Sequence, residues 1–139
     1  LDAVSRADIK DWAPGDTLLL SGKLLTGRDA AHKKLIELID NNQPLPEGVN
    51  LKDKFIYYVG PVDPVRDEVI GPAGPTTATR MDKFTDQLLA ATGLMGMIGK
   101  AERGPALLKK NKKSNKMRWC RGDSMPMLML WLHQRWMRF

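Results

Sequence analysis

The sequence predicts an α/β layered domain from three observations: short apolar runs bounded by Gly, Pro and Ser, two stretches with apolar residues at helical spacing, and the alternation of the two along the chain. At 139 residues the chain holds one domain, large enough for a single core but short for an enzyme that encloses both a substrate and a cofactor. Half an active site, or a binding module, is the expectation at this length.

After Pro14-Gly15-Asp16, the run Thr17-Leu18-Leu19-Leu20 reads as a buried strand, Ser21-Gly22 as a turn, and Lys23-Leu24-Leu25 as resumed extended chain. From Arg28 the period changes. Ala31, Leu35, Leu38 and Ile39 fall at i, i+4, i+7 and i+8, one face of a helix that should stop near Asn41-Asn42 because Pro44 and Pro46 follow. Lys54-Phe55-Ile56-Tyr57-Tyr58-Val59 is aromatic and β-branched and predicts a strand ending at Gly60-Pro61. A Pro- and Asp-rich loop leads through Glu68-Val69-Ile70 to a sharp Gly-Pro-Ala-Gly-Pro turn. Met81, Phe84, Leu88 and Ala91 form a second helical stripe, with Gly93 placed to end it in a left-handed conformation. Leu94-Met95-Gly96-Met97-Ile98 predicts a buried strand whose glycine marks close backbone approach, and Gly99-Lys100 leaves it.

The net charge of +6 is unevenly spread. Residues 1–105 carry 13 Lys/Arg against 15 Asp/Glu, whereas residues 106–139 carry 9 against the single Asp123. Basicity therefore belongs to the tail, and the usual inference from a high pI to nucleic-acid binding is weak for the rest. One cysteine, Cys120, excludes an internal disulfide and any iron–sulfur cluster held by several thiolates of this chain. No secretory leader follows Leu1, which makes an intracellular, cytoplasmic location the expectation. The apolar run from Met125 to Leu132 is shorter than the roughly 20 residues that span a bilayer, so no membrane association is expected.

Two signatures carry the chemistry: Thr26-Gly27-Arg28-Asp29-Ala30-Ala31-His32 and Gly71-Pro72-Ala73-Gly74-Pro75-Thr76-Thr77-Ala78-Thr79-Arg80-Met81-Asp82. Each lies where a helix should begin, and free amides at a helix N-terminus attract carboxylate or phosphate. Arg80 follows Thr76 by one turn, so hydroxyl and guanidinium can converge on one oxygen-bearing ligand. The spacing equally fits Thr76 or Thr77 as a plain N-cap with Arg80 in solvent. Arg28 opposes the dipole of its helix, which suggests a partner anion or a pair with Asp29. His32 either relays protons or, as the spacing favours, sits at the core edge hydrogen-bonded to backbone. Lys100, just past a strand of an α/β layer, lies where ligand contacts gather, although a solvated lysine also fits.

The succession of Ser21-Gly22 to Thr26-Gly27-Arg28-Asp29-Ala30-Ala31-His32, then Tyr57-Tyr58-Val59-Gly60-Pro61, then Gly74-Pro75-Thr76-Thr77 to Arg80-Met81-Asp82, and then Met97-Ile98-Gly99-Lys100 resembles the C-terminal domain, or β subunit, of class I iron–sulfur fumarate hydratases and the related tartrate dehydratases. Four ordered blocks cover about Asp16 to Pro105. The resemblance implies a swivelling β/β/α domain that closes over a cluster-bearing α subunit or N-terminal domain, within an oligomer. It implies that the partner supplies a four-iron four-sulfur cluster and that this chain binds none. It implies Arg28, Arg80 and Lys100 as the cations that grip a dicarboxylate, Thr76 as the catalytic base, and Asp29, His32 and Thr77 in support. The implied reaction is reversible hydration of fumarate to malate, or of a related diacid, by a chain inactive on its own.

After Gly104-Pro105 the resemblance stops, where the family continues with a helix, a strand and a glycine-rich segment. The expected organisation is thus a domain over 1–106, truncated on its C-terminal side, and an atypical Met/Trp-rich tail over 107–139, with a reading-frame shift near 107–117 as the expected cause. The competing function is a non-catalytic interaction module. Seven cations between Lys109 and Arg121, with Trp119 among them, suit nucleic acid or an acidic surface, although such a run is more often simply solvated.

Overall fold

The structure, a computed structural model, describes residues 4–12, 18–60 and 62–105. The atypical tail over 107–139, with Cys120 and its seven cations, lies outside the described residues.

Helix α1 (Arg6–Lys10) is a single turn or so, held by a capping box in which the Ser5 hydroxyl accepts from the Asp8 amide while the Asp8 carboxylate accepts from the Ser5 N–H at 2.7 Å. Strand β1 (Leu25–Thr26), helix α2 (Asp29–Asp40) and strand β2 (Phe55–Tyr57) follow, then a 3₁₀ turn (Ala78–Met81), helix α3 (Asp82–Thr92) and strand β3 (Gly96–Ile98). The three strands form one parallel sheet in the order β1-β2-β3, with Leu25 opposite Ile56 and Ile56 opposite Met97. The mixed α/β class is as the sequence predicts.

Side-chain alternation along β2 divides the core between two faces. Ile56 joins Leu35 of α2, Leu88 of α3, Met81, Leu51 and Leu94 in the main cluster. Phe55 joins Leu24 and Met95, against which Val4, Ile9, Trp12, Tyr57 and Ile98 pack. Trp12 stacks on the Phe55 ring at 6.2 Å. Helices α2 and α3 therefore cover one face side by side, tied by a Gln87–Asp40 hydrogen bond, and α1 covers part of the other. Leu88 is fully buried and stabilises by about 1.5–3 kcal/mol relative to exposure.

The predicted helix ends agree with the structure: Asn41 is the C-cap of α2, and Gly93 closes α3 at φ 67°. At Gly96 a Cβ would lie 2.5 Å from the Phe55 ring, the close approach expected there. One expectation is corrected. Leu18, Leu19 and Leu20 form no strand, and Leu19 is 83% exposed; Thr17 lies outside the described residues. Pairing with β2 begins only at Leu25, so among the described residues these leucines have no neighbouring strand to satisfy their backbone.

Candidate functional site

In a parallel sheet flanked by helices, ligands gather beyond the carboxyl ends of the strands. Here β1 leads into Gly27-Arg28, β2 runs out through Tyr58 and Val59 to Gly60, and β3 through Gly99 to Lys100. Arg28, Gly60 and Lys100 thus share one edge of the molecule. Arg28 is the N-cap residue of α2, without a side-chain cap bond, and its side chain lies along Gly60, where a Cβ would come within 3.1 Å of the arginine Cδ.

The Thr76 region is stitched to the same edge by backbone bonds. The Thr76 amide donates to the Tyr58 carbonyl at 2.6 Å, and the Thr76 carbonyl accepts from the Lys100 amide at 3.2 Å. Ala78 donates to the Lys100 carbonyl at 2.8 Å, and Thr77 pairs with Lys100 as a parallel bridge. Thr76, Thr77 and Lys100 are therefore neighbours, although 23 or more positions separate the threonines from the lysine. The expected α-helical start at this signature is a 3₁₀ turn instead; α3 proper begins at Asp82, so Thr76 and Arg80 are not one α-turn apart on a common face.

Arg80, on that turn, reaches back to the first turn of α2. Its Nε donates to Asp29 Oδ1 at 3.2 Å, and its Nη2 stands 2.9 Å from Oδ2 as an ion pair. Asp29 thus joins the two signatures, pairing with Arg80. Its carboxylate also suits the positive end of the α2 dipole.

His32 is fully buried. Its Nδ1 lies 2.8 Å from the Arg28 carbonyl, its ring meets Tyr58 edge-on at 5.2 Å, and its Nε2 has no hydrogen-bond partner among the described residues. Burial pulls its pKa below the ordinary value; the Arg28 carbonyl and Asp29 oppose this, and the charge of Arg103 adds to it. The ring packs against Tyr58 and Phe84.

Arg28, Arg80 and Lys100 are all exposed, and the Asp29 carboxylate pairs with Arg80. Such a surface suits an anion carrying more than one charge. Two open hollows lie at the other end of the sheet, one of about 400 Å³ lined by Ile39, Leu45, Asn50 and Lys52, and neither touches these residues. Among the described residues no three His, Cys, Asp or Glu side chains converge as a metal-holding group. No helix among them is long and apolar enough to cross a membrane.

Residues 1–118 match the family described as Fumarase C-terminus. The chain belongs to the fumarase C-terminus family. Over 107 residues it is 40% identical to the aerobic class I fumarate hydratase of Escherichia coli (strain K12), covering 77% of this chain and 19% of that protein. It is 35% identical over 108 residues to a putative L(+)-tartrate dehydratase subunit beta of Methanocaldococcus jannaschii, covering 76% of this chain and 54% of that one. It is 36% identical over 107 residues to the L(+)-tartrate dehydratase subunit beta of Escherichia coli (strain K12), covering 73% and 49%. This member of the family thus spans about half the length of those beta subunits and about a fifth of the fumarate hydratase.

Sequence reasoning passes over one basic residue at this edge, Arg103. It is 7% exposed, and its Nη1 donates to Asp82 at 2.6 Å and to the Ala78 carbonyl at 3.0 Å. Asp82, Ala78 and Tyr58, which it bonds, stand 21, 25 and 45 positions away, beyond the reach of any local spacing rule. The one local signal is an arginine three residues after Lys100.

Proposed function

We propose that this chain is the substrate-binding half of a hydro-lyase that reversibly hydrates fumarate to malate, or acts on a related dicarboxylate, and that a second domain or subunit completes the site. What supports the reading is that Thr76 and Lys100 are joined by backbone bonds at the edge where Arg28 lies along Gly60 and Arg80 reaches Asp29 of α2, in a chain of the fumarase C-terminus family. The names of its relatives, fumarate hydratases and beta subunits of tartrate dehydratases, support the reaction class and a partner chain.

In this reading Arg28, Arg80 and Lys100 grip the two carboxylates, and the ion pair with Asp29 orients Arg80. Moving a proton at the carbon beside a carboxylate builds negative charge, which cations already in place stabilise without reorganising. Thr76 exchanges that proton through its hydroxyl. A threonine hydroxyl is weakly acidic, so the role needs the alkoxide held by the cations around it. Thr77 holds Lys100 in register, and His32 supports Arg28.

A four-iron four-sulfur cluster supplies Lewis-acid chemistry to a hydroxyl when bound. This chain does not fit it: a single cysteine in 139 residues cannot ligate such a cluster. The cluster therefore belongs to the partner, and the domain swivels to close the shared site against water, as part of a cytoplasmic oligomer.

The test mixes the full chain with a cluster-bearing partner subunit under anaerobic conditions and follows fumarate absorbance. Arg80→Ala and Thr76→Ala should each cost on the order of a hundredfold in turnover. Turnover unchanged by both, or absent with every partner, overturns the reading.

A further inference from the structure

We propose that Arg103 is the positioning residue of this edge: its buried guanidinium locks the chain leaving β3 against the 3₁₀ turn, and so fixes Lys100 beside Thr76. What the edge holds rests on the diacid reading above; how Arg103 acts does not.

Both terminal nitrogens of the guanidinium are engaged. Nη1 donates to the Ala78 carbonyl at 3.0 Å, to Asp82 at 2.6 Å and to the Thr85 hydroxyl at 3.3 Å; Nη2 donates to the Tyr58 hydroxyl at 2.6 Å and approaches the Met97 sulfur at 3.2 Å. The second oxygen of Asp82 accepts from the Gly104 amide at 2.6 Å, so carboxylate and arginine clasp the chain at consecutive residues. The residues Arg103 holds by one side are those the candidate site uses by the other. Tyr58, bonded through its hydroxyl, offers its carbonyl to Thr76; Ala78, bonded through its carbonyl, offers its amide to Lys100.

Between the two anchors sits Ala101 at φ 61°, a left-handed conformation that residues with a Cβ keep only where their surroundings impose it. The Thr77–Lys100 bridge fixes one end of that strained link and Arg103 the other. Only a planar fork reaches carbonyl, carboxylate and both hydroxyls together; a lysine keeps the charge and loses the span.

The test is amide hydrogen exchange on the full chain, with L-malate titration of the same samples. Arg103→Lys should lower protection of the Ala78 and Lys100 amides at least tenfold, leave the Leu35 amide of α2 at its wild-type rate, and weaken L-malate binding about tenfold. If Arg103→Lys does not fold, Tyr58→Phe, which removes one hydroxyl acceptor and keeps the ring, should expose the same two amides selectively. Unchanged protection at Ala78 and Lys100, or an equal loss across all amides, overturns the positioning role. Wild-type chain that binds no L-malate, with the exchange pattern as expected, overturns the diacid reading and leaves the positioning role standing.

Discussion

Replacing Gly99 with alanine adds a methyl where β3 leaves the sheet, 2.7 Å from the Tyr58 Cδ2, 3.2 Å from the Ala78 Cβ and 3.3 Å from the Thr76 carbonyl oxygen. Carbon atoms in comfortable contact stand about 3.5–4.0 Å apart, so all three neighbours have to yield. Tyr58 has little room to do so, being fully buried and bonded through its hydroxyl to Arg103 and the Met97 sulfur. Overpacking costs about 1–3 kcal/mol, and contact on three sides places Gly99→Ala in the upper half of that range. With a urea dependence of about 1–2 kcal/mol per molar for a domain of this size, the unfolding midpoint falls by roughly 1–2 M. Two controls separate space from backbone. Gly74→Ala meets no atom within 4 Å and should shift stability by less than about 0.5 kcal/mol, whereas Gly48→Ala, equally open but at φ +79°, should lose about 1–2 kcal/mol through its backbone alone. Gly99→Ala should also weaken diacid binding, which Gly48→Ala should not. A Gly99→Ala midpoint equal to that of wild type refutes the tight junction at Thr76 and Lys100.

Stability should depend on pH through His32. Its folded pKa is depressed, so near pH 6.5 and somewhat below the unfolded chain binds more protons than the native one; stability therefore rises with pH across that window and is lost as pH falls through it. Urea midpoints from pH 5 to 8 should show this slope, flattened in His32→Phe; equal slopes in both proteins refute it. Leu88→Ala, deleting a fully buried contact between α3 and the sheet, should cost about 2–5 kcal/mol in the same melts, and a loss below 1 kcal/mol contradicts the packing described.

Legibility in the sequence followed the range of the forces involved. Helix α2 shows in the spacing of Ala31, Leu35 and Ile39, and its end in the prolines after Asn41, because both signals are local. Gly93 and Gly96 are equally readable, since a left-handed cap and a close ring leave few alternatives to glycine. The leucines at 18–20 misled because apolar residues alone do not make a strand; a neighbour to pair with does, and the sheet starts at Leu25. Helix α1 went unread although Ser5 and Asp8 spell a capping box, because five residues are too few to show a period. At the site, the sequence offered Arg28, Asp29, Thr76, Arg80 and Lys100 as candidates, yet the Asp29–Arg80 ion pair spans 51 positions and the bond from Arg103 to Tyr58 spans 45. Contacts of that kind exist only once the sheet and both helices are assembled.

The most direct measurement is an L-malate titration of the isotopically labelled full chain, followed by amide chemical shifts. Shifts confined to Arg28, Gly60, Thr76, Thr77, Arg80 and Lys100, with affinity on the order of millimolar for half a site and abolished in Arg28→Ala/Arg80→Ala, are the predicted result. Shifts at the hollow lined by Ile39, Leu45 and Lys52, or none anywhere, contradict the account.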